Sequence, residues 1–99
     1  MITFYWTAVI VPGKLSSTVA FAKEVAVHIT TTTGTEVSVA LPIGANPSRI
    51  ARSKRHDSLA DFDRLMLALI ADPAYAELMA KKAENFIPGS VHGEIWRVI

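Results

Sequence analysis

Hydrophobic residues change their spacing along the chain, and each change marks a new predicted element. Ile2–Val11 is rich in β-branched and aromatic residues, which predicts a strand that stops at Pro12-Gly13. From Lys14 the spacing becomes helical. The predicted apolar stripe of this helix comprises Leu15, Val19, Ala22, Ala26 and Ile29, widened by Phe21 and Val25. Gly34 is the predicted C-terminal stop, although the β-branched run Thr30–Thr33 is poor in helix formers.

Three more strands are predicted. Glu36–Leu41 alternates strictly between apolar and polar residues, as a half-buried strand does. Two prolines, a glycine and an asparagine make Pro42–Pro47 a loop, and Arg49–His56 is the next strand. After Pro88-Gly89, Val91–Ile99 is the last strand.

A second helical segment lies between the last two strands. Ser58 is its predicted N-cap, with Asp61 three residues on, and Asp72-Pro73 restarts the helix. The resulting order, β-α-β-β-α-β, predicts the α+β class and a ferredoxin-like fold, with a four-stranded antiparallel sheet covered by helices on one face. Leu41 and Arg49 are too close for the crossover helix of a doubly-wound fold. We expect residues 1–99 to form a single domain.

Composition adds an expectation about assembly. The chain is 51% hydrophobic and only 19% charged, so it has more apolar side chains than so small a core needs. The surplus indicates a ligand cavity or a second subunit. A membrane is not expected, because the longest apolar stretch is far too short to span one. A net charge of +1 disfavours nucleic acid, and the lack of cysteine suits a cytoplasmic protein.

Three short segments resemble the NIPSNAP family, within the dimeric α/β-barrel superfamily. They are a strand-to-helix junction, the start of the second helix and its restart: Pro12–Leu15, His56–Ala60 and Ala71–Tyr75. The resemblance implies a homodimer in which two sheets pack face to face and enclose a cavity. The superfamily also contains cofactor-independent monooxygenases, haem-degrading enzymes and isomerases, so the fold does not choose an activity.

The third strand carries the most interesting candidate site. Arg52, Lys54 and His56 share one of its faces by alternation. Such a row could bind a small acidic, partly apolar ligand against the flat wall of Trp6 or Trp96. The alternative is a solvated edge strand, whose charge discourages pairing with other chains.

The side of the sheet on which this row lies depends on the argument used. Alternation in the first strand gives Ile2, Phe4, Trp6, Ala8 and Ile10 a core-like character, which favours the helix side. The resemblance places both these residues and the row on the inter-sheet side, and we follow the resemblance.

Histidines offer further candidates. His92, Glu94 and Trp96 share a face of the last strand, predicted to point toward the partner sheet or cavity, where His92 and Glu94 could do acid-base work or form a salt bridge. Val91, Ile95 and Ile99 would face the helices. His28 is predicted to be a boundary histidine, with a haem ligand as the alternative that the resemblance suggests. No metal-binding spacing occurs, and neither a metal nor a cofactor is expected.

Three functional hypotheses follow. The first is a homodimeric protein that binds a small apolar or aromatic acidic ligand in a barrel cavity. The second is a cofactor-independent monooxygenase-like enzyme. The third is a purely structural dimerisation module whose interface is fully packed.

Overall fold

The computed structural model describes residues 1–43 and 48–99. Its elements are, in order, β1 (Ile2–Val9), α1 (Leu15–Thr33), β2 (Val37–Ala40), β3 (Arg49–His56), α2 (Leu59–Ile70), α3 (Pro73–Lys81), a 3₁₀ turn (Ala83–Asn85) and β4 (His92–Arg97). Positions 44–47 of the predicted loop Pro42–Pro47 lie outside the described residues.

The four strands form one antiparallel sheet in the order β2-β3-β1-β4. Even-numbered residues of β1 face the helices, as the ring contacts of Phe4 with Phe62 and of Trp6 with Phe86 demonstrate. We call this side of the sheet the helix face and the opposite side the open face. The predicted α+β, ferredoxin-like fold is confirmed.

The core lies between the helices and the middle of the sheet. It contains Phe21, Val25 and Ile29 of α1 together with Leu69 of α2, each at most 4% exposed. The stripe of α1 is therefore rotated from the predicted one, and Leu15 is 41% exposed. The rotation has a physical reason, because a stripe through Phe21 and Val25 presents the larger side chains to the sheet and to α2.

The predicted start of α2, its restart as α3 and the stop of α1 are confirmed. Ser58 Oγ accepts a hydrogen bond from the Asp61 amide at 3.1 Å, and Asp72 Oδ1 accepts one from the Ala74 amide at 3.0 Å. Gly34 ends α1 with φ of 76°, a left-handed conformation that glycine adopts without strain. The helix therefore runs through Thr33 in spite of its β-branched residues, two of which bond back to carbonyls four residues earlier.

Three strands were predicted too long. The predicted Ile2–Val11 ends at Val9, because the chain beyond it pairs with the segment around Phe86 and no longer with a strand. The predicted Glu36–Leu41 and Val91–Ile99 shorten to Val37–Ala40 and His92–Arg97. Both shortened strands are sheet edges, where only one neighbour holds the backbone extended. The prediction of Arg49–His56 is confirmed at both ends.

The cap of α2 is open to a direct test. Ser58→Ala removes the acceptor of the Asp61 amide and is expected to lower the free energy of unfolding by about 1 kcal/mol. Chemical denaturation followed by circular dichroism measures the change. Ser38→Ala, an exposed serine on β2, is the control and should stay within about 0.5 kcal/mol of the wild type. Equal effects of the two substitutions would contradict the capping role.

Candidate functional site

Three basic side chains of β3 lie under the helices. Arg52, Lys54 and His56 stand opposite Trp6, Phe4 and Ile2 of β1 and share the helix face with them. We call these three residues of β3 the basic row. The expectation that the row and Trp6 line the inter-sheet side was wrong. Apolar alternation in β1 indicated the correct side, because a stripe that includes Ile2, Ala8 and Ile10 must be covered, and the helices cover it.

Apolar groups surround the side chain of Lys54. Its side chain is buried, with 4% of the residue exposed. The ammonium lies 5.6 Å from the ring centroid of Phe4, 5.8 Å from that of Phe62 and 3.4 Å from Met66 Sδ. In the described parts of the chain, no carboxylate is within salt-bridge distance of it. Burial, assisted by the nearby Arg52 charge, lowers the pKa of Lys54 from 10.5 to about 8.

His56 is also buried and poorly satisfied. Its side chain is fully covered, and neither ring nitrogen has a hydrogen-bond partner among the described residues. Nδ1 lies 3.5 Å from Asp61 Oδ2, which is too long for a good hydrogen bond. Asp61 is instead bound at 2.7 Å by Arg64. Burial, then the Lys54 charge, lowers the pKa of His56, so the neutral ring is favoured.

Arg52 lies at the other end of the row. Its guanidinium carbon is 4.8 Å from the ring centroid of Trp6, and its buried Nε has no partner among the described residues. A cavity of about 20 Å³, enough for one water molecule, adjoins it. Aromatic and aliphatic side chains line most of this cavity, including Trp6, Phe21, Met79 and Phe86.

A larger space adjoins the His56 end of the row. β2 begins at Val37, opposite Lys54, so the edge of β3 beyond Lys54 has no strand beside it. A depression of about 570 Å³ is found there, and we call it the edge depression. Its lining includes Lys54, His56 and Asp61 on one side and Tyr5 and Arg55 on the other. Its volume is within the range of small-molecule sites.

The open face carries the second predicted group. His92, Glu94 and Trp96 point away from the helices, opposite Thr7, Tyr5 and Thr3. One carboxylate joins the three, because Glu94 lies 2.9 Å from His92 Nε2 and accepts a hydrogen bond from Trp96 Nε1 at 2.8 Å. The bond to His92, followed by that from Trp96, lowers the pKa of Glu94.

The two tryptophans therefore lie on opposite faces and cannot line one pocket. Trp96 is 58% exposed and borders an open-face depression of about 580 Å³. Ile95 shares the helix face with Phe4, as predicted, yet it is 47% exposed because the helices do not extend over β4. Val91 and Ile99 lie beyond the strand ends and are exposed.

Phe62, Met66 and Asp61 were missed as parts of the site. The sequence indicated their structural roles, namely the apolar face and the cap of α2. Their contacts with the basic row depend on where α2 crosses the sheet, and spacing along the chain does not give that crossing.

His28 has a structural environment. Its Nε2 lies 2.8 Å from Asp72 Oδ2, and its ring stacks on Tyr75. It therefore joins α1 to the cap of α3. In the part of the chain that the structure describes, no three histidine or acidic side chains are grouped to hold a metal ion. None of the described helices has the length and apolar character needed to cross a membrane.

The lowered pKa of Lys54 predicts how the free energy of unfolding depends on pH. Replacing it with Met is expected to raise the free energy of unfolding at pH 7, because a charge is no longer buried among apolar groups. Between pH 8 and 10.5 the unfolded wild type binds more protons than the folded one, so wild-type stability rises with pH. The advantage of Lys54→Met should therefore shrink across that window. Urea titrations at several pH values measure it.

The control for this test is Lys23→Met, at an exposed position of α1. Its difference from the wild type should be small and nearly independent of pH. A difference between Lys54→Met and wild type that stays constant from pH 8 to 10.5 would contradict the lowered pKa.

Sheet order, helix placement and strand register together define a ferredoxin-like α+β protein. No protein-family model and no curated protein sequence matches the chain. Solved structures do match it.

A NIPSNAP domain protein from Burkholderia xenovorans superposes with a TM-score of 0.84 at 12% identity, covering 100% of this chain and 95% of that one. A NIPSNAP family protein from Agrobacterium tumefaciens gives 0.83 at 15% identity, covering 99% and 92%. A protein from Bordetella bronchiseptica, named provisionally as an antibiotic biosynthesis monooxygenase, gives 0.77 at 14% identity, covering 99% and 96%. These similarities confirm the ferredoxin-like fold of the single chain.

Proposed function

We propose that this protein is a homodimer that binds a small apolar or aromatic acid beside the basic row. The observation that carries the proposal is a set of buried nitrogens without partners: Arg52 Nε and both nitrogens of His56. Buried polar groups in folded proteins are nearly always satisfied, so a set of unpartnered ones favours a ligand or water. Lys54 adds a buried amine with no acidic partner in the described regions.

The chemistry of the surroundings supports an acid with an apolar body. A carboxylate would offset the charges of Arg52 and Lys54, which burial otherwise leaves costly. Phe4, Phe62 and Met66 would contact the rest of the ligand. The edge depression is the proposed entrance, because it adjoins Lys54 and His56.

The proposal of a dimer is based on the exposed apolar residues of the open face. Helices cover only the other face of the sheet, so Tyr5, Trp96 and Val98 remain 42%, 58% and 48% exposed. A second sheet packed on this face would cover them and remove their apolar surface from water. A stable interface of this kind buries about 1,600 Å² in total.

Isothermal titration with benzoate, salicylate and phenylacetate tests the ligand. We expect binding of at least one of these acids by the wild type and a loss of tenfold or more in Arg52→Met, because a charged hydrogen bond is removed. Arg49→Met is the matched control, since Arg49 lies on the same strand but borders the open-face depression. Loss of binding in Arg49→Met alone would place the ligand on the open face. No binding of any acid by the wild type would favour the structural dimerisation module.

A cofactor-independent monooxygenase is the second candidate. The lowered pKa of Lys54 favours it, because an amine that is partly neutral near pH 8 can accept a proton from a phenol. The Bordetella bronchiseptica structure with the same fold is named provisionally as an antibiotic biosynthesis monooxygenase. Oxygen uptake with a hydroquinone, corrected for the rate without protein, tests it. Uptake that is unchanged in Lys54→Met would rule out this role for the lysine.

A further inference from the structure

We propose that Lys54 is a reactive amine that captures an aldehyde or ketone as an imine, so that the natural ligand carries a carbonyl group in addition to its acid. The inference deepens the proposed function and rests on it for the location of the ligand.

The environment of Lys54 is the first support. A lysine becomes a nucleophile when it is desolvated in an apolar pocket or placed beside another cation. Both conditions hold here, because Phe4, Phe62 and Met66 surround the amine and Arg52 lies two positions away on the same face. The described part of the chain offers no carboxylate to hold Lys54 as an ammonium ion. Burial lowers the pKa of Lys54 to about 8, which agrees with this geometry.

Access and proton transfer are the second support. Lys54 and His56 adjoin the edge depression, which is the proposed entrance for a small carbonyl compound. Because Lys54 is 4% exposed and the His56 side chain is fully covered, the side chains over them must open for the compound to reach the amine. The neutral amine attacks the carbonyl carbon and gives a carbinolamine. Loss of water then forms the C=N bond, and the departing oxygen carries both amine hydrogens. His56, with neither ring nitrogen hydrogen-bonded among the described residues, can take up and return a proton during these steps.

Reductive trapping tests the inference. Purified protein is incubated at pH 7.5 with 4-carboxybenzaldehyde and sodium cyanoborohydride, which supplies hydride to the imine carbon and leaves a stable secondary amine. Intact mass and peptide mapping follow the product. We expect an adduct on Lys54 that forms at least tenfold faster than those on Lys14, Lys23 or Lys81, which are exposed and serve as internal controls. Peptide mapping separates it from an adduct on the amino terminus. At this pH a group with a pKa of 8 is about 200 times more often neutral than one at 10.5, and its lower basicity offsets part of that advantage.

Two variants sharpen the result. Lys54→Arg keeps the positive charge but cannot form the imine, so the fast adduct should disappear, whereas Lys23→Arg should label as the wild type does. An adduct on Lys54 that forms no faster than those on the surface lysines, or none at all, overturns the inference. Benzoate binding without an adduct leaves the proposed function standing and removes only the reactive lysine. An adduct on Lys54 without benzoate binding leaves the reactive lysine standing and removes the proposed acid binding.

Discussion

Replacing Trp96 with Asp is expected to convert the proposed dimer into a monomer at micromolar concentration, as measured by light scattering after gel filtration. Trp96 is 58% exposed on the open face, so the substitution leaves the core of the subunit intact. In the proposed dimer the same position is covered by the partner sheet. Asp would then be buried beside Glu94, which already accepts a hydrogen bond from Trp96, and two carboxylates would share a desolvated site.

The matched control is Val27→Asp. Val27 is 66% exposed on α1, so it is an equally exposed apolar residue on the other side of the molecule. This variant should remain dimeric. If Val27→Asp dissociates while Trp96→Asp stays dimeric, the interface lies on the helices. Circular dichroism of both variants shows whether the subunits stay folded.

Replacing Leu69 with Ala is expected to lower the free energy of unfolding by about 2–5 kcal/mol, a large share of the roughly 5–15 kcal/mol that stabilises a typical domain. Leu69 is 1% exposed and is the residue of α2 that completes the cluster with Phe21, Val25 and Ile29. Truncation loses apolar burial and leaves a cavity that these neighbours, on another helix, can fill only partly.

Ile70→Ala removes a similar side chain one position along the same helix. Ile70 is 72% exposed, so its truncation should change stability by no more than about 0.5 kcal/mol. Urea denaturation of both variants at one protein concentration measures the difference, since the proposed dimerisation would make stability depend on concentration. Equal losses in the two variants would contradict the assigned core.

Local chemistry made the element boundaries predictable. Ser58, Asp72 and Gly34 act through bonds or backbone angles within a few residues, so the sequence contains all that is needed. The edge strands β2 and β4 were predicted too long because each of them ends where its pairing with its one neighbouring strand stops. That depends on register between distant segments, which residue patterns do not give.

The sequence predicted which candidate residues share a strand face, but the side of the sheet predicted for the basic row was wrong. Alternation correctly grouped Arg52, Lys54 and His56, and separately His92 with Trp96. Charged side chains ordinarily lie in water, so three basic side chains beneath helices are not expected from the sequence. The resemblance also placed these residues away from the helices, on the inter-sheet side. The cation–π contacts of Lys54 with Phe4 and Phe62, which join three elements, explain how the buried row is accommodated.

The weak attachment of α3 has a consequence for how the protein moves. This helix has no fully buried residue: Tyr75, Leu78 and Met79 pack against the core only partly buried, and polar contacts hold its ends, namely His28 with Asp72 and Glu24 with Lys81. Segments with so little buried surface open locally at a fraction of the free energy of global unfolding. Met79 of α3 forms part of the wall of the small cavity beside Trp6 and Arg52. Outward swinging of α3 about the Ala71-Asp72 junction would therefore turn a space for one water molecule into an open cleft, while the sheet and its register stay unchanged.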